Sequence, residues 1–177
     1  MGKNFRLLSK QLLNSSSSAS MNVDGSSTAV EFTLSPPSGV TFEVTDLILT
    51  IHSSGMDLAT ASELRVFGAS GALTNGIKLT EKKGSPIVSV EVFPAPVKKI
   101  IDLYRYTSWS GSGVKIVGKT DGIAAGTDHL VATVSWPKPL TIRPNSLDSL
   151  VLTVQDDLSG LTLFEAHAVG TQYSITA

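Results

Sequence analysis

Turn residues punctuate this chain at intervals of about ten residues, and the segments between them alternate apolar with polar side chains, the mark of half-buried strands. Val30, Phe32 and Leu34 alternate with Glu31 and Thr33 before Ser35-Pro36-Pro37-Ser38-Gly39, where proline cannot join a ladder and glycine eases the turn. His129 to Trp136 alternates in the same way, with Leu130, Ala132, Val134 and Trp136 inward, and Pro137 and Pro139 framing its end. Asn75-Gly76 is a strong hairpin signal, with Ile77–Thr80 as the short return strand. Further strands are predicted over Glu63–Ala69, Ile87–Phe93, Val114–Gly118 and Thr171–Thr176. The spacing predicts an all-β chain, an antiparallel β-sandwich with jelly-roll-like topology, an immunoglobulin-like strand order being the second choice.

One segment is more specific. In Val40 to His52 the apolar residues change parity: Val40, Phe42 and Val44 lie on one face of a strand, while Leu47, Leu49 and Ile51 lie on the other. An uninterrupted strand would send one set into solvent. A β-bulge, a corner or a change of sheet is therefore predicted near Thr45-Asp46. Leu140 to Gly170 reads as the frame of the domain, with strands Leu147–Gln155 and Leu161–Val169 forming a core hairpin. Arg143-Pro144-Asn145 leads in, Asp156-Asp157-Leu158-Ser159-Gly160 makes the turn, and Gly170 marks the exit. Val97 to Trp109 is ambiguous between a short helix and an irregular strand, and Tyr104, Tyr106, Thr107 and Trp109 favour the strand.

At 177 residues the chain suits one sandwich with an appended arm. The sandwich is placed at 28–177, and 1–27 is assigned to an extended or partly helical N-terminal arm with a Ser-rich linker. Phe5, Leu8 and Leu12 share helical spacing. The arm is expected to rest on the domain's own surface or on a neighbouring subunit, and residues 1–20 could extend about 60 Å.

Composition narrows the function classes. Charged residues are 16% of the chain, against roughly 25% in an average domain, and about forty Ser and Thr residues take their place on outward strand faces. Such composition suits shells and adhesins whose surfaces become interfaces. With 14 basic and 15 acidic residues and a net charge of -1, the chain lacks the basic face that direct nucleic-acid binding requires. There is no cysteine for disulfides or thiolate metal sites. No apolar run approaches the roughly 20 residues that span a bilayer, so no membrane partner is expected. Ser9, Lys10 and Gln11 interrupt any export-signal core, which predicts cytosolic synthesis.

Motifs for chemistry are missing. The three histidines, His52, His129 and His167, have no zinc-site spacing and read as structural. No Gly-x-Ser-x-Gly elbow occurs. Asp156 and Asp157 are adjacent, a poor acid/base couple in a strand, and are expected to bond the backbone of their own turn. No catalytic residue, metal ligand or cofactor is assigned, and an enzyme is not expected. Tyr104, Tyr106 and Trp109 form the one aromatic cluster, suited to a core edge or subunit interface before a sugar platform. Together with Phe5, Leu8 and Leu12 they are the candidate interface residues.

The pattern from Ser149 through Asp156-Asp157-Leu158-Ser159-Gly160 to Leu161, followed by an alternating strand to Gly170, resembles β-sandwich structural proteins of tailed bacteriophages. These include capsid decoration (cement) proteins and related head- or tail-associated proteins. Leu140-Thr141-Ile142-Arg143-Pro144 resembles the lead-in of such strands, with Asn145-Ser146 where a glycine would be expected. The resemblance implies a non-enzymatic virion protein, assembled in the host cytoplasm. It would stabilise the shell through contacts with the major capsid protein or other virion proteins and work as a homo-oligomer, a trimer by shell symmetry. The alternative is a tail- or fibre-associated module binding host-surface glycan.

Overall fold

The computed structural model describes residues 2–13, 23–53, 74–83, 85–93, 115–119, 130–144 and 148–176. They contain eleven strands and no helix: β1 (Gly2–Gln11), β2 (Val23–Asp24), β3 (Val30–Leu34), β4 (Val40–Ser53), β5 (Ile77–Lys83), β6 (Ser85–Phe93), β7 (Lys115–Lys119), β8 (Leu130–Ile142), β9 (Asp148–Val154), β10 (Asp157–Leu158) and β11 (Leu161–Thr176). One sheet has the order β1-β11-β4-β8-β7, the second has the order β3-β9-β5-β6, and β10 pairs with β2. Every pairing is antiparallel.

The pairing identifies the topology. With the short β2 and β10 and the edge strand β7 set aside, β1 pairs with β11, β3 with β9, β4 with β8 and β5 with β6. First with last, second with second-last and so on inward is one long hairpin. Rolling it up also sets β11 beside β4 and β9 beside β5. That is a jelly roll, and these pairings exclude the immunoglobulin-like order. The two sheets enclose one apolar core. Phe32 of β3 meets Phe164 of β11 across it, with ring centroids 5.1 Å apart.

The parity change in β4 is resolved as predicted. Phe42 and Val44 before it, and Leu47, Leu49 and Ile51 after it, are all buried. Against β11 the register slips between Val169↔Asp46 and Gly170↔Val44, leaving Thr45 without an opposite residue. Against β8 it slips between Asp46↔Ser135 and Val44↔Leu140, so Trp136 to Pro139 balloon out opposite Thr45. Two side-chain bonds fasten the bulge: Thr45 Oγ1 donates to the Val169 carbonyl at 3.2 Å, and Ser135 Oγ donates to Asp46 Oδ1 at 2.6 Å. At Gly170 a Cβ would overlap the Glu43 carbonyl oxygen, so only glycine lets β11 approach β4 here.

Several expectations change. Pro137 and Pro139 do not end their strand; they sit inside the β8 bulge, where a missing N–H is tolerated. Gly170 is no exit either, because β11 runs through it to Thr176 as one strand. The supposed core hairpin of Leu147–Gln155 and Leu161–Val169 is a crossing between sheets: β9 lies in one sheet and β11 in the other. Turn chemistry at 156–160 looked like a hairpin because partners are not written locally. In place of a helix, the first part of the arm is β1, registered against β11 from Gly2↔Thr176 to Gln11↔His167. Leu8 and Leu12 share a strand face as readily as a helical one, and both are buried in the core. The sandwich thus begins at the first described residues, inside the stretch assigned to an arm. The segments expected as strand at Glu63–Ala69 and as irregular strand at Val97–Trp109 lie outside the described residues.

Deleting Thr45 should abolish folding. It would force Leu47, Leu49 and Ile51, or their counterparts at Val40 to Val44, out of the core. At about 1.5–3 kcal/mol per side chain, that loss rivals the ~5–15 kcal/mol margin of a domain. Thr45→Ala, which removes one hydrogen bond, should cost only about 1 kcal/mol. Urea titration followed by tryptophan fluorescence distinguishes the two.

Candidate functional site

At one end of the sandwich the β9–β11 crossing meets the Thr74-Asn75-Gly76 turn that leads into β5. Asp156, itself buried, accepts N–H bonds from three consecutive residues. Thr74 donates to Oδ1 at 2.8 Å, Asn75 donates to Oδ2 at 3.0 Å and to Oδ1 at 3.2 Å, and Gly76 donates to Oδ2 at 2.9 Å. Asn75 Nδ2 returns a bond to the Gln155 carbonyl at 2.9 Å, and the Gly25 N–H donates to the Asp156 carbonyl at 2.9 Å. Gly76 takes a φ of 76°, which glycine adopts freely. Gly25 packs so close that a Cβ would overlap the Val154 carbonyl oxygen. Asp156 is therefore a clasp joining the crossing to a turn some eighty positions away in sequence. It does not bond its own turn as expected, and its oxygens are fully engaged.

Asp157 does keep to its own turn. The Ser159 N–H donates to its Oδ1 at 2.9 Å, and the Ser159 hydroxyl and amide hold this exposed carboxyl below its usual value. Asp24, opposite Asp157 in the β2–β10 pair, has the same habit: the Ser26 N–H and hydroxyl donate to its Oδ1 at 3.0 and 2.6 Å. Among the described residues no group of three or more His, Asp or Glu is gathered to hold a metal ion. His167 lies on an outward strand face 3.6 Å from Glu165, its neighbour two residues away on β11, and His52 sits near the end of β4. His129 is outside the described residues.

What remains is surface. β1 is an edge strand with two unlike faces. Leu8 and Leu12 enter the core, while Phe5 is 57% exposed and Leu7 is 86% exposed. Phe5 rests against Tyr173 of β11, ring centroids 5.3 Å apart at 47°. Of the six candidate interface residues, the structure leaves Phe5 on the surface and puts Leu8 and Leu12 beyond the reach of any partner. Tyr104, Tyr106 and Trp109 lie outside the described residues. Leu7 was missed because its helical position faces away from Phe5, Leu8 and Leu12. Strand parity, which places it beside Phe5, would have found it.

Neither family models nor curated proteins match this chain. Its reading therefore rests on the fold and on these residues.

Asp156→Ala should take the carboxylate away from the N–H groups of Thr74, Asn75 and Gly76, of which only Gly76 is buried, and cost about 1–3 kcal/mol. Asp157→Ala, which removes a bond within an exposed turn, should leave the melting temperature nearly unchanged. Melting curves with and without EDTA should coincide for both variants; stabilisation by calcium that Asp157→Ala removes would contradict this account of the turn.

Proposed function

We propose that this chain is a non-enzymatic virion structural protein, an accessory of the shell that acts through contact surface. It would bind the major capsid protein or another virion protein and work as a closed oligomer, with a trimer expected. One observation carries the reading: β1 anchors itself with Leu8 and Leu12 and turns Phe5 and Leu7 outward. Large apolar side chains side by side on a strand face mark a contact surface more than a solvated one. The jelly roll supports it, since viral shells repeatedly use that architecture. So does the composition, with only 16% charged residues and Ser/Thr-rich strands. The likeness of the Ser149–Leu161 stretch to phage sandwich proteins points the same way.

The mechanism is additive. Each copy would bury apolar area at roughly 25 cal/mol per Å², and many symmetry-related copies on one shell convert modest contacts into resistance to rupture. Residues 2–13 cannot be treated as a detachable tether. Removing residues 1–20 would take Leu8 and Leu12 out of the core and test folding, not docking. The glycan-binding alternative depends on Tyr104, Tyr106 and Trp109, and loss of glycan-array binding in Tyr104→Ala would favour it.

The direct test is the Phe5→Ser/Leu7→Ser double variant. Covering Leu7 and the free part of Phe5 is worth about 1.5–3 kcal/mol. Occupancy on purified particles should therefore weaken on the order of tenfold to a hundredfold, with the melting temperature little changed. Undiminished occupancy would count against β1 as the contact surface.

A further inference from the structure

The backbone of β1 carries a second signal, separate from its side chains. In an antiparallel ladder, residues alternate between those whose N–H and C=O both face one neighbour and those that face the other. The Leu12 N–H donates to the Ala166 carbonyl at 2.8 Å, so Leu12 faces β11. The even residues of β1 share that direction. The odd residues Lys3, Phe5, Leu7, Ser9 and Gln11 then aim their backbone groups away from the sheet. Leu13 shows that this outer edge is competent: it exchanges both bonds with Thr33 of β3, at 2.7 and 3.4 Å. Beyond Leu13, no described strand occupies the outer edge, and among the described residues the further hydrogen bond to it is Gln172 Nε2 on the Leu7 carbonyl at 3.4 Å. A ten-residue edge that no described strand covers is a template for another strand.

The charge on β1 says which strand. It carries Lys3, Arg6 and Lys10 and no acidic residue. Arg6 and Lys10 are exposed on the face of β1 opposite Phe5 and Leu7, with Gln172 and Ala168 as their cross-strand neighbours. No described ion pair involves either of them. A second copy of this chain is a poor occupant. Two β1 edges related by a two-fold axis pair antiparallel and bond odd residue to odd residue, which gathers Arg6 and Lys10 of both copies on one face, like charge beside like.

We propose that the outer edge of β1 accepts an extended strand from a different protein, one that alternates acidic with apolar residues. Its apolar side chains lie beside Phe5 and Leu7, and its carboxylates lie beside Arg6 and Lys10. Main-chain bonds to the odd residues supply the ladder, and the side-chain alternation supplies the choice of partner. This deepens the shell-accessory reading and rests on it only for where the partner strand comes from.

The test uses the full chain and two labelled peptides, one alternating Glu with Val and one alternating Lys with Val, followed by fluorescence anisotropy at low and high salt. The Glu peptide should bind more tightly by about tenfold, the sum of a few cross-strand charge pairs, and the difference should shrink with salt. Arg6→Glu/Lys10→Glu should reverse the preference. Ser9→Pro removes an outward N–H and leaves the β11 ladder intact, so it should weaken the Glu peptide with little change in melting. Equal binding of both peptides, or a preference that survives the charge reversal, would overturn the proposal. A dimer in sedimentation that Ser9→Pro dissolves would also overturn it, by giving the edge to a second copy. If neither peptide binds while Phe5→Ser/Leu7→Ser still lowers particle occupancy, the edge proposal falls and the shell reading stands.

Discussion

The fold depends on one extra residue. β4 is the central strand of the larger sheet, flanked by β11 and β8, and it buries apolar side chains of both parities. A strand's faces alternate strictly, so this is possible only if the pleat is interrupted once. Thr45 is that interruption on β4, and the Trp136–Pro139 excursion on β8 and Gly170 on β11 are shaped around it. Bend and twist at this point let both halves of a fourteen-residue strand face the same core. The jelly-roll wrap, in which the first strand must meet the last, follows from how those neighbours are aimed.

That wrap sets what is left for function. In rolling the hairpin, β1 becomes the edge of the larger sheet, bonded to β11 along its length and to β3 at Leu13. Its inner residues complete the core, so it cannot leave without unfolding the domain. Among the described residues, only Gln172 Nε2 meets its outer backbone groups, at the Leu7 carbonyl. A strand held this firmly presents a contact surface with little ordering cost, which is what an assembly protein needs in order to gain from modest area. The opposite case is Asp156, prominent in the sequence, whose carboxylate is closed inside a clasp with Thr74 to Gly76.

How much was legible in the sequence follows from how local each signal is. The bulge at Thr45 could be read because parity is written within one strand. The positions of β3, β5, β6 and β9, the Asn75-Gly76 turn and the sandwich class were readable for the same reason. Partners were not: nothing between Ser149 and Leu161 says that β9 and β11 enter different sheets, so their turn resembled a hairpin. The arm misled because positions 8 and 12 satisfy both a helical repeat and a strand repeat. Phe5 alone breaks the tie, since its odd position puts it outside on a strand, and there it stands beside Leu7. Asp156 was readable as a turn residue, but its partners lie some eighty positions earlier.

Amide hydrogen exchange along β1 tests the central claim most directly. An edge strand docked on β11 and open on its other side should show protection that alternates. Leu8 and Lys10 should exchange slowly, Phe5, Leu7 and Ser9 quickly, and Leu13 slowly again where β3 closes the edge. Uniformly fast exchange would mean that β1 is a loose arm. Uniform protection of both parities would mean that the edge is already covered. Either pattern would contradict a sandwich that ends in an open, basic strand.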